Sequence, residues 1–134
     1  MVTLDASDGH RDHARTRDAV VRVLAGSDVQ VYLQCLPRSL MHAWVRHRTG
    51  NPDAAAYVEL PDIGTPDDEL TTVIDTSAHL AARDLAIAAH SSQTSPYEGL
   101  PDDLRRAFLG REHLKRVQPR WEGGPLETDL PGLD

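Results

Sequence analysis

The stretch SDGHRDHARTRDAVVRVL, residues 7–24, governs how the rest of the chain is read. It sets His10 and His13 three positions apart with Asp12 between them, directly ahead of Ala19, Val20, Val23 and Leu24, which recur at helical spacing. The spacing predicts a helix from near Asp12 to near Gly26, where the glycine stops it. At a helix start, positions three apart face the same side, and neutral imidazoles are common zinc ligands. Alone, such a pair reads as two surface histidines at a polar helix start. Asp12 adds weight to a metal site, because a carboxylate beside a histidine fixes its tautomer and raises its basicity. The His-Arg-Asp triplet also occurs in protein-kinase catalytic loops, but the Leu and later Asn of that motif are missing here, which rejects a kinase.

Outward from this stretch, VQVYLQCL (29–36) is rich in β-branched and apolar residues and reads as a buried strand. Pro37 opens a helix whose Leu40, Met41, Trp44 and Val45 form a stripe. Residues 48–70 carry Gly, Pro and Asp and read as a long surface connection. LTTVID (70–75) is a second strand. A helix follows, capped at Thr76 or Ser77, with Leu80, Ala81, Leu85 and Ala88 on one side. DDLRRAFLG reads as a short helix and REHLKRVQP as a short strand, and the tail from Trp121 reads as loose. The alternation is α/β. Only two strands are convincing, fewer than a sheet covered by helices on both faces needs.

Composition narrows the function. The chain has 134 residues, 40% hydrophobic and 26% charged, enough for one folded domain. Its net charge of −7, with arginines scattered among acids, excludes a basic footprint for nucleic acid. No apolar run is long enough to span a bilayer. The single Cys35 lies in an apolar run; it reads as a buried small hydrophobe and fits a cytoplasmic setting.

Three segments, DGHRDHARTRDAV, VYLQCLPRS and GTPDDELTTVIDTSAHLAARDLAIAAHSSQ, stand in the order seen in the LmbE-like, or PIG-L, N-acetylglucosaminyl deacetylases, and the chain resembles that family from residue 8 to about 118. The resemblance implies a Rossmann-like α/β fold with one catalytic zinc, acting on an N-acetylated amino sugar or related amide. It implies that His13 is a zinc ligand. It implies that His10, as an imidazolium, stabilises the tetrahedral intermediate, and that Asp12 orients it. Arg11 stands where the family has Pro. Arg38 and the run from His90 to Gln93 match positions near the substrate, with Arg38, His90 and Gln93 as candidate substrate contacts.

The family's N-terminal Ala-His-Pro-Asp-Asp-Glu motif, which supplies a His, an Asp ligand and the general base, has no counterpart before His10. TPDDE (65–69) is no substitute: Thr65 replaces the His and the segment leads into a strand, so Asp67, Asp68 and Glu69 read as solvated loop acids. The expectation is therefore a truncated fold, the C-terminal half of the deacetylase domain over residues 1–118 with a loose tail over 119–134. The missing ligands would be lost upstream or held by a complementing N-terminal half or another copy of the chain. The competing readings are an inactive truncated remnant, a start codon placed too far downstream, or a non-enzymatic binding module of the same fold. A half-domain also predicts an exposed sheet edge and apolar helix faces.

Overall fold

A computed structural model describes residues 1–48 and 62–132. The elements are β1 (Val2–Leu4), α1 (Arg11–Leu24), β2 (Val31–Cys35), α2 (Arg38–Arg48), β3 (Thr72–Asp75), α3 (Leu80–Ala88), α4 (Asp102–Leu109) and β4 (Arg111–Gln118). Short 3-10 turns cover Asp67–Glu69 and Ser77–His79. The strands form one mixed sheet in the order β1-β2-β4-β3. β1 runs parallel to β2, with Val2 opposite Tyr32 and Leu4 opposite Gln34. β4 is antiparallel to both neighbours: His113 sits opposite Cys35 on one side and Val73 on the other. Among the described residues no helix is long and apolar enough to cross a membrane.

The helix predicted from near Asp12, the strand at 29–36 and the helix after Pro37 are all present. From α2, Met41 and Trp44 enter a core cluster with Ile63, Leu100, Phe108 and Leu109. Leu33, Cys35 and Leu70 form a second cluster. The first helix buries no residue, and Val23 remains 80% exposed.

The short strand expected at 111–119 is present as the eight-residue β4, hydrogen-bonded on both sides. Pairing makes its charged residues tolerable inside the sheet. Glu112 meets Arg83, Lys115 meets Glu69, and Arg116 meets Glu127. Strand β1 was missed, being only three residues long.

The helix expected from Thr76 through Gln93 is a 3-10 turn followed by α3, which ends at Ala88, and neither expected cap makes a side-chain cap bond. Leu80 and Ile87 face the core while Leu85 is 75% exposed. The inward rows between them hold Arg83 and Asp84, paired with Glu112 and Arg105, so a search for apolar periodicity selects the wrong face.

Of the connection at 48–70, residues 49–61 lie outside the described residues. Of the remainder, Ile63, Gly64, Thr65 and Leu70 are buried, while Asp67, Asp68 and Glu69 are exposed as expected. Gly64 donates its N–H to Ser7 at 2.8 Å, and Thr65 exchanges backbone bonds with Leu36 and Arg38. Glycine is required at 64: φ is +91°, and a Cβ would come within 2.8 Å of the Arg38 Cα. The acids beside it are partnered too. Asp67 accepts the backbone N–H and hydroxyl of Ser39 at the start of α2, and Glu69 pairs with Lys115.

Within the tail, Glu127 is held to the sheet. Glu127 forms a one-residue bridge to Thr72, donating its N–H to Thr71 at 2.9 Å and accepting that of Val73 at 2.9 Å. Its carboxylate takes the Thr72 hydroxyl at 2.7 Å and the Arg116 guanidinium at 2.6 Å. The Arg116 guanidinium lies over Trp121, 4.8 Å from the ring centre.

Candidate functional site

The loop from β1 to α1 and the first turn of α1 build the site. Asp8 and Gly9 turn the chain, with Gly9 at φ 79°, and His10 becomes the N-cap of α1. Asp8 then closes on both histidines. Its Oδ1 accepts the His10 backbone N–H at 3.0 Å, and its Oδ2 lies 2.6 Å from His13 Nδ1. The two imidazole rings are 4.6 Å apart between centroids.

These bonds set what each ring can do. A carboxylate accepts only, so the Asp8 contact puts the proton of His13 on Nδ1 and leaves its Nε2 lone pair outward. His10 Nδ1 accepts the Asp12 backbone N–H at 3.2 Å, so in the neutral ring the proton sits on Nε2. The pair thus offers one acceptor nitrogen and one N–H donor.

The expected roles shift accordingly. Asp12 contributes its backbone N–H to His10, while its carboxylate is exposed at the second helical position and pairs with Arg15 at 3.3 Å. The carboxylate that holds a histidine is Asp8, and the histidine is His13. Asp8 was absent from the sequence reading. The signal was an Asp-Gly turn five residues before His13, easily passed over because it lies outside helical spacing.

Asp8 and His13 line a cavity of about 220 Å³. Its wall is mixed. Asp5, Gln34, Arg83, Arg111, Glu112 and His113 supply polar groups, and Leu4, Leu40, Tyr97 and Phe108 supply apolar surface. Arg83 and Gln34 both bond Glu112, the latter at 3.1 Å. Burial, with Arg111 beside it, pushes His113 below the usual histidine range. Burial also pushes the Cys35 thiol up to about 11, which leaves it an inert thiol. Asp5 anchors the loop beneath Asp8. Burial raises its carboxyl, but bonds from Ser7, Thr65 and backbone N–H groups outweigh that and hold it below the usual value. The Thr65 hydroxyl donates to Asp5 at 2.7 Å and lies 3.1 Å from Ser7 Oγ.

The other candidates sit apart from this cavity. Arg38 is turned to the 62–64 segment, with Nε 3.4 Å from the Gly64 carbonyl and a guanidinium nitrogen 3.8 Å from Asp62. His90 and Gln93 are exposed beyond the end of α3, and neither lines the cavity. Arg83, Glu112 and His113, which the sequence reading passed over, stand in its wall. Among the described residues no three His, Cys, Asp or Glu side chains are grouped to hold a metal ion.

The chain is similar along nearly its whole length to curated proteins named 1D-myo-inositol 2-acetamido-2-deoxy-alpha-D-glucopyranoside deacetylase. It is 25% identical to that of Geodermatophilus obscurus, over 98% of this chain and 55% of the relative. It is 31% identical to that of Mycolicibacterium smegmatis, over 100% of this chain and 53% of the relative. The value is 38% for that of Streptomyces scabiei, over 60% of this chain and 27% of the relative. The chain thus spans about half the length of the first two of these relatives. No family model and no solved structure matches it.

Proposed function

We propose that this chain supplies part of the active site of a zinc-dependent N-deacetylase that hydrolyses the acetamide of an N-acetylglucosamine-type sugar or its conjugate. The homologues are named for that reaction on an inositol conjugate. The observation that carries the reading is the Asp8–His13 pair at 2.6 Å in the wall of a mixed polar cavity. A carboxylate-held imidazole keeps Nε2 available as a metal ligand or proton acceptor. His10 Nε2–H, on the adjacent ring, is the donor suited to the carbonyl oxygen as it gains negative charge, an interaction worth roughly 3–4 kcal/mol where measured. Carboxylates and guanidinium in the wall match the hydroxyls of a sugar. Arg38, His90 and Gln93 remain candidate substrate contacts in the same reading, and a single buried cysteine suits a cytoplasmic enzyme.

The described residues do not fit zinc by themselves. A stable site takes three or four protein ligands, and this chain presents His13 with no group of three around it. The reading places the remaining ligands and the general base on a complementing half, in the same polypeptide or another, or on a second copy. The same observation favours a second reading for the chain acting alone: it binds the sugar without cutting it.

The test joins this chain to the N-terminal half of the Mycolicibacterium smegmatis relative, adds zinc and the inositol conjugate named for the relatives, and measures acetate. The relative itself is the positive control. Acetate release that disappears in His13→Ala supports the reading. A folded fusion that binds zinc and the conjugate yet releases no acetate overturns it in favour of the binding module.

A further inference from the structure

The cavity beside His13 continues into a second chamber of different character, about 180 Å³ in volume. The two share Asp8, Leu36, Tyr97 and Phe108. Beyond these, the second is walled by Met41, Trp44 and Pro96. Among the described residues, two of its polar groups are already engaged. The Trp44 indole N–H donates to the Pro96 carbonyl at 2.8 Å. Both Asp8 carboxylate oxygens are taken by His10 and His13. Tyr97 stands between the chambers, its ring 5.6 Å from that of Phe108 and its hydroxyl in the field of Arg83 and Glu112 on the polar side.

From this division we infer that the site takes an amino sugar carrying an apolar group, aromatic or short aliphatic, which occupies the Met41–Trp44–Phe108 chamber while the sugar ring occupies the polar one. The inference rests on the amino-sugar reading above and departs from the inositol in the relatives' names. An inositol ring has an oxygen on every carbon, and hydroxyls placed against the Met41, Trp44 and Phe108 side chains would gain few protein partners for the water they displace. Size agrees as well, since an apolar protein cavity of about 150 Å³ is enough to bind benzene. The apolar group can arrive from two positions on the sugar, the anomeric oxygen or the N-acyl group, and the chemistry the chamber recognises is the same for both.

The test measures binding of three probes to this chain by calorimetry: methyl N-acetyl-α-D-glucosaminide, the phenyl glycoside of the same sugar, and the methyl glycoside bearing N-phenylacetyl in place of N-acetyl. At least one phenyl-bearing probe is expected to bind about tenfold more tightly than the first, which corresponds to about 1.4 kcal/mol. Whichever does so identifies the position. That probe should also shift the Trp44 indole N–H resonance, assigned in a Trp121→Phe background. Leu36→Gln, at a partly exposed wall residue, should shrink the ratio. Equal binding of all three with an unmoved Trp44 resonance overturns the apolar chamber and leaves the deacetylase reading intact. Failure of all three to bind overturns the apolar chamber as a binding site of this chain, while the deacetylase reading is decided separately by acetate release from the fusion.

Discussion

Asp8 and His13, five residues apart in sequence, are brought to 2.6 Å between Oδ2 and Nδ1 by one glycine turn and one helix start. The same carboxylate holds the backbone N–H of His10, so a single side chain sets both the orientation of one imidazole and the entry of the helix that carries the other. Removing it should disturb the site more than the fold. In a protein completed with the remaining ligands, Asp8→Asn is expected to reduce zinc affinity about 10- to 100-fold, the usual cost of losing a ligand's orienting partner. Zinc titration checks the affinity, and an unchanged urea midpoint checks that the fold survives.

Thr65 ties the segment after residue 62 to the loop under the site. Replacing it by Val deletes the hydroxyl bond to Asp5 and leaves a half-buried carboxylate short of a partner, which should cost about 1–2 kcal/mol at pH 7. The pH dependence follows from the sign of the Asp5 shift. Its carboxyl is held below 3.8 in the folded chain, so its contribution is complete above that value and is lost as pH falls through the lower folded value. The wild type and Thr65→Val should therefore converge in stability as the pH is taken below about 3.8. Urea unfolding at a series of pH values measures this.

Glu127 is the tail's anchor. Glu127→Ala removes the partners of the Thr72 hydroxyl and of the Arg116 guanidinium, whose side chain is only 17% exposed. A loss of about 2–3 kcal/mol is expected, as for hydrogen bonds to charged groups. The Arg120–Trp121 peptide bond, the last tryptic site in the chain, should also become sensitive to trypsin. Urea denaturation and timed digestion read the two effects separately.

The parts of this molecule that were legible in the sequence are those whose local pattern matches their environment. Met41 and Trp44 sit on an apolar stripe and enter the core, and Val31 to Cys35 form a buried strand from a β-rich run. What stayed hidden depends on partners distant in sequence. β4 reads as a short strand, but its place inside the sheet shows only when Arg83, Glu69 and Glu127 arrive to pair with its charges. Thr65 looks like part of a loop until its hydroxyl is seen on Asp5, 60 residues away. The site divides the same way. His10 and His13 announce themselves by spacing on one helix turn. Asp8 precedes the helix and has no periodic signature, and the wall residues Arg83, Glu112 and His113 come from α3 and β4.

The most direct test of the central claim separates the two histidines in the completed protein by measuring zinc per chain and acetate released for His13→Ala and His10→Ala side by side. His13→Ala should lose metal and activity together, because Asp8 holds its Nδ1 and leaves Nε2 as the ligand. His10→Ala should retain most of its zinc and fall in turnover, because it removes a donor used in the transition state. If His10→Ala lost the metal while His13→Ala kept it, the assignment built on the Asp8–His13 pair would be contradicted.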